Sequence, residues 1–333
     1  MNQVYAFQNT PEEVMKSSSG GAFIALCRAF ERKHAGQVVF CGAAFDEKLN
    51  VVHSCVKTVM ECEIFKGSKY VKSRCDFRKL EFEKYIEEGK YILFSGTPCQ
   101  VFSLNQYIKN HELPRDRFLT IDVICHGTPK VEFWNAYKTW LENKNKSTLV
   151  AYSFRYKPEG WKAYPAFAQF ENKKVIVNTA ETSVYSKMHM ERYSISKGCF
   201  SCPFSKEERI SDITLGDYWG VERVFPELKY KSGVSLMIVH SNQGVEIVEK
   251  IECNRDVFLK KTTDRTYLQF QHNLNRPTEC PERYSEFWTD FSQLSFEKLL
   301  EKYIGYGKKY QMIYQIKKIA RKTPLIEWYR NRR

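Results

Sequence analysis

The first half of the chain alternates short apolar segments with loops and helical stretches. The segments Val38–Phe45, Tyr91–Ser95 and Phe118–Ile124 have the length of buried strands, and the last two run directly into loops that contain glycine. A helix is predicted after each of these two loops, from Cys99 and from Val131. This repetition predicts an α/β fold with a mixed, largely parallel sheet flanked by helices.

The pattern changes from residue 149 onwards. Three strand-like stretches, at 150–156, 166–171 and 174–177, predict an antiparallel insertion. We therefore divide the sequence into an N-terminal α/β half (1–148), a C-terminal half that contains a Cys-x-x-Cys pair (149–300) and a basic helical tail (301–333).

The eleven cysteines are expected in a reducing compartment. The apolar runs are too short to cross a bilayer and the first residues do not resemble a signal peptide, so we expect a cytoplasmic protein without disulfides. Cys27 and Cys41 are expected to be small buried apolar side chains. Five further cysteines without ligand-like spacing are expected to be structural: Cys55, Cys62, Cys75, Cys253 and Cys280.

The net charge of +13 is concentrated at the end of the chain. The stretch Lys308–Arg333 has nine basic residues and one acidic residue, a net charge of +8, so the body is only mildly basic and no nucleic-acid partner is expected. Ile313, Ile316 and Ile319 share a predicted helical face in this tail, and Leu325, Ile326, Trp328 and Tyr329 follow. The tail is interpreted either as a peripheral contact with the inner surface of an anionic membrane or as a terminal helix docked on the body.

A Cys-x-x-Cys pair at Cys199 and Cys202 is the sharpest local motif. Two thiolates at this spacing are typical of half a zinc site, half an iron–sulfur site or a redox pair. Cys99 and Cys125 each follow a predicted parallel strand, so the same sheet edge can bring them together with the pair. Inert cysteines at 99 and 125 remain the alternative.

Glycine-containing loops indicate a phosphate-bearing ligand. The sequence SSSGG (17–21) precedes a predicted helix, SGTP (95–98) precedes another, and Lys69 lies in a third loop. Free backbone N–H groups at a helix N-terminus bind phosphate. Three such loops favour a dinucleotide, although none has the Rossmann or P-loop spacing.

Five ordered motifs resemble the coenzyme F420 hydrogenase/dehydrogenase beta-subunit family. Together they extend over most of the chain: SSGGAF (18–23), GSKYV (67–71), SGTPCQV (95–101), DVICHGTP (122–129) and CFSCPFSKEERISDITLGDYWG (199–220), with GVSLMIVHSNQG (233–244) extending the likeness. The resemblance implies an oxidoreductase that uses FAD and a 4Fe-4S cluster to pass electrons between a ferredoxin-like donor and a small organic acceptor.

The resemblance also implies roles for individual residues. Cys99, Cys125, Cys199 and Cys202 are the expected cluster ligands. The residues expected around FAD are Ser19, Gly20, Gly21, Ser68, Lys69, Tyr70, Gly96 and Thr97, with Asp212, Thr214 and Gly216 at the border of the same site. Substitution of Gly20 or Gly96 by a larger residue is expected to weaken FAD retention without unfolding the protein.

The sequence departs from many relatives because it has no ferredoxin-type cysteine run before SSSGG. We therefore expect a single cluster, a separate ferredoxin-like donor and a homo-oligomer. The acceptor is interpreted as coenzyme F420 or a polysaccharide-biosynthesis intermediate. The alternative is a non-catalytic scaffold that keeps the fold and a structural metal.

Three further side chains have two interpretations each. His126 is the candidate catalytic residue, as a proton donor to the acceptor, and the alternative is a structural hydrogen bond beside Cys125. Trp161 and Trp219 can stack on a flavin or substrate ring, or serve as core residues.

Overall fold

A computed structural model describes residues 2–159, 161, 165–228, 230–252 and 256–321. Its strands, in chain order, are β1 (Gln3–Gln8), β2 (Val38–Phe45), β3 (Val51–Val56), β4 (Tyr91–Gly96), β5 (Phe118–Val123), β6 (Leu149–Ser153), β7 (Phe167–Phe170), β8 (Val175–Val177), β9 (Ile213–Asp217), β10 (Ser235–Val239) and β11 (Phe258–Thr262).

The helices alternate with the strands in the first half and cluster at the end of the chain. They are α1 (Pro11–Lys16), α2 (Ala22–Lys33), α3 (Phe82–Glu87), α4 (Pro98–Asn110), α5 (Val131–Asn145), α6 (Ala180–Met190), α7 (Val221–Val224), α8 (Asn242–Glu249), α9 (Tyr267–Phe270), α10 (Tyr284–Gln293), α11 (Phe296–Ile304) and α12 (Lys308–Arg321). Among the described residues, none of the helices has the length and hydropathy that crossing a membrane requires.

Eight strands form one mixed sheet in the order β11-β1-β10-β9-β5-β4-β2-β3. The central pairs β2/β4, β4/β5 and β5/β9 are parallel, and the flanking pairs are antiparallel. β6, β7 and β8 form a separate antiparallel sheet, the predicted insertion. The predicted fold class is therefore confirmed.

The sheet separates two apolar layers. Phe30 of α2 and Ile247 of α8 pack on one face, and Leu104 of α4 and Phe82 of α3 pack on the other. The small sheet and the terminal helices share a third cluster around Trp134, which is fully buried. The three-part division of the sequence stays a prediction; β9, β10 and β11 lie in the main sheet together with strands from the first part.

One cysteine expectation is wrong. Cys41 and Cys55 form a disulfide, although we expected free thiols throughout. The register of the β2/β3 hairpin explains the bond, because it places the two residues directly opposite each other with their Cα atoms 4.2 Å apart. Cys27 and Cys62 are buried free thiols, whereas Cys253 lies outside the described residues.

Candidate functional site

A cavity of about 850 Å³ opens at the carboxyl ends of the parallel strands. Ser95 and Gly96 of β4, Val123 of β5, and Gly216 and Asp217 of β9 contribute to its lining. This edge of a parallel sheet is where α/β proteins place ligands, because the loops that follow adjacent strands converge there. We describe its lining as two walls, named below by their chemistry.

The loop wall consists of residues 17–19, 21–24, 65–73 and 95–97. Its first segment ends at the N-terminus of α2, where Gly21 has a left-handed φ of +82°. No acidic residue lies in the first turn of α2, so its free N–H groups and dipole favour an anion. Ser19 and Gly21, both predicted ligand-binding residues, lie in this wall.

Gly20 lies behind the loop wall. A Cβ atom there would be 2.2 Å from the backbone oxygen of Phe7 and 2.5 Å from the backbone nitrogen of Ser235. The Gly20 amide also donates to the Ser235 hydroxyl at 2.9 Å. Glycine is therefore needed for the close approach of three backbone segments, and the expectation that a larger residue leaves the fold intact is wrong at this position.

The second segment of the loop wall is tied to the first by serine side chains. The Ser68 amide donates to the Ser18 hydroxyl at 2.7 Å. Lys69 donates to the backbone oxygens of Ile64 and Lys66, at 2.8 and 2.9 Å. Burial of its ammonium group lowers the pKa of Lys69 to about 7. The predicted residues Ser68, Lys69 and Tyr70 thus all lie at the cavity.

The third segment begins α4. Thr97 is the N-cap, and its amide donates to the Gln100 side chain at 2.9 Å. Gln100 in turn donates to the Ser73 hydroxyl at 2.7 Å, which joins this segment to the second one. A Cβ atom on Gly96 would lie 3.0–3.2 Å from the side chains of Phe94 and Gln100. These contacts involve movable side-chain atoms, unlike the backbone contacts at Gly20.

The thiol wall contains Cys99 and residues 123–129, with side chains from 185–195 and 271–279. Cys99 lies in the first turn of α4, Cys125 follows β5, and a short 3-10 turn, Lys197–Ser201, contains Cys199 and precedes Cys202. All four are free thiols.

Cys99, Cys199 and Cys202 lie near Cys125. Burial raises the pKa of the Cys125 thiol to about 12, and the nearby thiolates of Cys199, Cys99 and Cys202 add to the increase. Gly127, with φ of +99°, lets this loop pack closely, because a Cβ atom there would lie 2.5 Å from the Ile195 side chain and 3.3 Å from Cβ of Cys199. The structure thus brings together the four residues that the sequence singled out. Among the described residues, no three His, Cys, Asp or Glu side chains are arranged to hold a single metal ion.

His126 also lines the cavity, beside a second imidazole. Its ring centre is 5.2 Å from that of His272. Burial lowers the pKa of His126 to about 4, and His272 adds to the decrease. Burial also lowers the pKa of His189, another lining residue, to about 4. These imidazoles are therefore neutral near pH 7 and act as hydrogen-bonding groups there, not as cations.

A buried network next to the thiol wall was missed by sequence reasoning. Asp217 accepts from Arg155 at 2.8 Å and from the Trp161 indole at 3.0 Å, and its backbone oxygen accepts from Gln271. Trp161 stacks on Trp219 at 4.5 Å between ring centres. Trp161 is thus a core residue, whereas Trp219 lines the cavity. The only sequence signal for this network was the position of Asp217 at the end of the ITLGD string (213–217).

Asp212 and Thr214, which were expected at the border of the FAD site, do not line the cavity. Asp212 is buried at the opposite end of β9, where it accepts from the Thr120 amide at 2.8 Å and from Arg115 at 2.9 Å. Thr214 pairs with His240 at 2.9 Å. Residues advance about 3.3 Å each along a strand, so Thr214 and Asp212 lie progressively further from the end of β9, where Gly216 lines the cavity.

Comparison with known proteins gives a family and a fold. No curated protein matches the chain. A solved structure of the F420-reducing NiFe hydrogenase complex from Methanosarcina barkeri, a xenon derivative, contains a chain with a TM-score of 0.54 and 13% identity. The match covers 82% of this chain and 88% of that one, and at this identity it shows a shared fold.

The family comparison is more specific. Residues 89–265, more than half of the chain, match the family model for the C terminus of the coenzyme F420 hydrogenase/dehydrogenase beta subunit. The matched range contains Cys99, Cys125, Cys199 and Cys202, and most of the thiol wall. The chain belongs to the coenzyme F420 hydrogenase/dehydrogenase beta-subunit family.

Proposed function

We propose that this chain is a flavin- and iron–sulfur-dependent oxidoreductase subunit that passes electrons from a ferredoxin-like donor, through a 4Fe-4S cluster and FAD, to a small organic acceptor. The observation that carries the proposal is the proximity of Cys99, Cys199 and Cys202 to Cys125, beside a cavity that Cys99 and Cys125 line and whose other wall is built from anion-binding loops. Family membership supports it independently.

We assign the four thiols to an iron–sulfur cluster, because four cysteine thiolates are the ligand set of a 4Fe-4S cluster. A single zinc ion, which four thiolates also suit, is the alternative. Cys99 lies in the first turn of α4. Burial raises the pKa of Cys125, so its thiol needs a bound cation to ionise at neutral pH.

The loop wall fits the phosphates of a dinucleotide. The N-termini of α2 and α4 supply backbone donors, and Lys69 supplies a nearby amino group. Trp219, together with neutral His126 and His189, supplies flat surfaces suited to a ring system. When bound, the two cofactors supply the electron and hydride chemistry.

The residues of this chain position the ligands and donate hydrogen bonds to them. The serine and glutamine hydrogen bonds among Ser18, Ser68, Ser73 and Gln100 keep the loop wall in one arrangement. His126 holds a neutral imidazole at the cavity, where it can donate a hydrogen bond to an acceptor. Coenzyme F420 is the first acceptor to test because of the family, and a polysaccharide precursor is the second.

The test is anaerobic reconstitution of the wild-type chain and of Cys199→Ser and Cys202→Ser. Iron and acid-labile sulfide should bind to wild type and fall together in both variants, since each removes one of four ligands. Cys75→Ser, which replaces a half-buried free thiol that does not line the cavity, is the matched control and should keep both.

The visible spectrum separates the two candidate functions. Flavin bands and a broad iron–sulfur absorption support the oxidoreductase, and their return on anaerobic mixing of the reduced, bleached protein with coenzyme F420 would identify the acceptor. Full iron and sulfide in Cys199→Ser and Cys202→Ser would overturn the ligand assignment. A colourless protein that binds stoichiometric zinc would support the scaffold instead.

A further inference from the structure

The helix α12 presents two different faces. Tyr310, Tyr314 and Lys318 follow one another at four-residue intervals and face the body of the protein. The Tyr310 and Ser183 hydroxyls are 2.9 Å apart, Tyr314 donates to Asn178 at 2.6 Å, and Lys318 donates to the backbone oxygen of Val177 at 3.1 Å. These contacts with α6 and β8 confirm that this part of the tail is docked.

The opposite face of α12 is apolar and exposed. Met312, Ile313, Ile316 and Ile319 are exposed by 59, 37, 58 and 66%. With 100° between successive residues, these four side chains lie within about one third of the helix circumference, away from the docked tyrosines. Isoleucine and methionine side chains are normally buried, so three isoleucines and one methionine exposed on one surface mark an interaction site.

Basic residues accompany this apolar face. Lys308, Lys309, Lys317, Lys318 and Arg321 lie in α12, which contains no acidic residue. On the helical spacing, Lys309 lies among the apolar residues while Lys308 and Lys317 lie on either side. The residues from 322 onwards, including Leu325, Ile326, Trp328 and Tyr329 of the predicted membrane segment, lie outside the described residues.

We propose that this exposed face of α12 binds an anionic lipid surface, with the isoleucines at the headgroup boundary and the lysines on the phosphates. The combination of apolar side chains and cations without acids matches interfacial helices. A second copy of the chain fits less well, because it would bring the same positive charge against itself. In addition, one face of a 14-residue helix offers far fewer residues than the roughly 20–30 per side of a stable protein interface.

The test is cosedimentation of the full chain with vesicles of phosphatidylcholine alone and of phosphatidylcholine mixed with phosphatidylglycerol. The chain should pellet with the mixed vesicles at low salt, with much less binding at high salt or to neutral vesicles, because salt screens the lysine–phosphate attraction. Lys309→Gln combined with Lys317→Gln should weaken binding about 25-fold, near fivefold for each neutralised lysine.

The apolar contribution is tested separately. Ile316→Gln combined with Ile319→Gln should weaken binding at least about tenfold, since two side chains no longer enter the boundary region. Matched controls elsewhere are Met60→Gln, at a methionine that is 84% exposed, and Lys79→Gln, at an exposed lysine. Both should bind like wild type, and circular dichroism should show that all variants are folded.

Three results would overturn the proposal. One is no cosedimentation of the full chain with anionic vesicles at low salt. Another is binding that the α12 substitutions leave unchanged. The last is a shift from dimer to monomer in gel filtration of the Ile316→Gln, Ile319→Gln variant, which would assign the face to a second copy. None of these results depends on the cofactors, so the proposed redox function is tested independently.

Discussion

The two walls of the cavity are built by different means. The loop wall is held by hydrogen bonds within the protein: Ser68 to Ser18, Gln100 to Ser73, and the Thr97 amide to Gln100. The thiol wall gathers several groups whose charged forms are disfavoured by burial, including Cys125, His126 and His189, whereas the loop wall has Lys69 as its example. The loop wall can therefore keep its shape without a ligand, whereas the thiol wall contains groups that a bound cation or hydrogen-bonding ligand would stabilise.

The largest loss of stability is expected at Gly20, which lies behind the loop wall. Gly20→Val should prevent folding or cost more than about 3 kcal/mol, because its side chain would overlap the backbone of Phe7 and Ser235. Gly67→Val is the matched control, since Gly67 has a positive φ of +78° but a Cβ atom there would meet nothing within 4 Å. Chemical denaturation measures both, and a loss at Gly20 no larger than the loss at Gly67 would show that crowding at Gly20 does not destabilise the fold as expected.

The next effect concerns the network beside the thiol wall. Asp217→Ala should lower the free energy of unfolding by about 3 kcal/mol, because the buried Arg155 guanidinium loses its carboxylate partner at 2.8 Å. Glu297→Ala removes an exposed partner of Lys144, at 3.0 Å, and should cost less than about 1 kcal/mol. A similar small cost for Asp217→Ala would mean that this network adds little stability to the wall.

A smaller, pH-dependent effect is expected where Lys157 holds the loop wall. Its ammonium donates to the backbone oxygens of Val14 and Ser19. Burial lowers the pKa of Lys157 to about 7, well below its ordinary value of 10.5, with Arg155 adding to the decrease. Folding thus disfavours the charged form, and the resulting penalty is complete below pH 7 and disappears as the pH rises toward 10.5.

The free energy of unfolding should therefore rise between about pH 7 and about pH 9, with about 2 kcal/mol of the rise due to Lys157. Burial also lowers the pKa of Lys69, so its titration changes the stability in the same direction. The contribution of Lys157 is therefore measured as the difference in pH dependence between wild type and Lys157→Met. Lys79→Met, at an exposed position, is the control and should keep the wild-type slope. An unchanged slope in Lys157→Met would show that its ammonium remains charged in the fold.

The sequence predicted the features that depend on a short run of consecutive residues. The parallel strands β2, β4 and β5 were predicted because each is an apolar run, and Cys99 and Cys125 were predicted to share an edge because each follows one of these strands. The Cys199 and Cys202 pair was joined to them by the family resemblance, and the structure places all four close together. β1 and β11 were not predicted, because their sequences QVYAFQ and FLKKT contain only short apolar patterns. β9 was not predicted either, because its five residues ITLGD include a glycine and an aspartate.

The remaining errors concern contacts between separate strands and loops, which no short motif specifies. Gly20 and Gly21 are adjacent in one motif, yet only Gly21 lines the cavity, because β1 and β10 pack against Gly20. The Cys41–Cys55 disulfide depends on which residues face each other across a hairpin. Asp212 and Gly216 lie at the two ends of the same strand region, so a motif that contains both cannot tell which one reaches the ligand.

The smallest effect on stability is expected at Gly96, and it tests the role of the loop wall directly. Gly96→Ala brings a methyl group to 3.0–3.2 Å from Phe94 and Gln100, which can move, so the cost should be only about 1 kcal/mol. Movement of Gln100 would disturb its bonds to Thr97 and Ser73, and FAD retention should fall at least severalfold. Flavin absorbance after gel filtration measures retention, and Gly307→Ala, an open position outside the cavity, is the control. Wild-type retention in Gly96→Ala would exclude this segment from the flavin site, even if the thiol wall still binds its cluster.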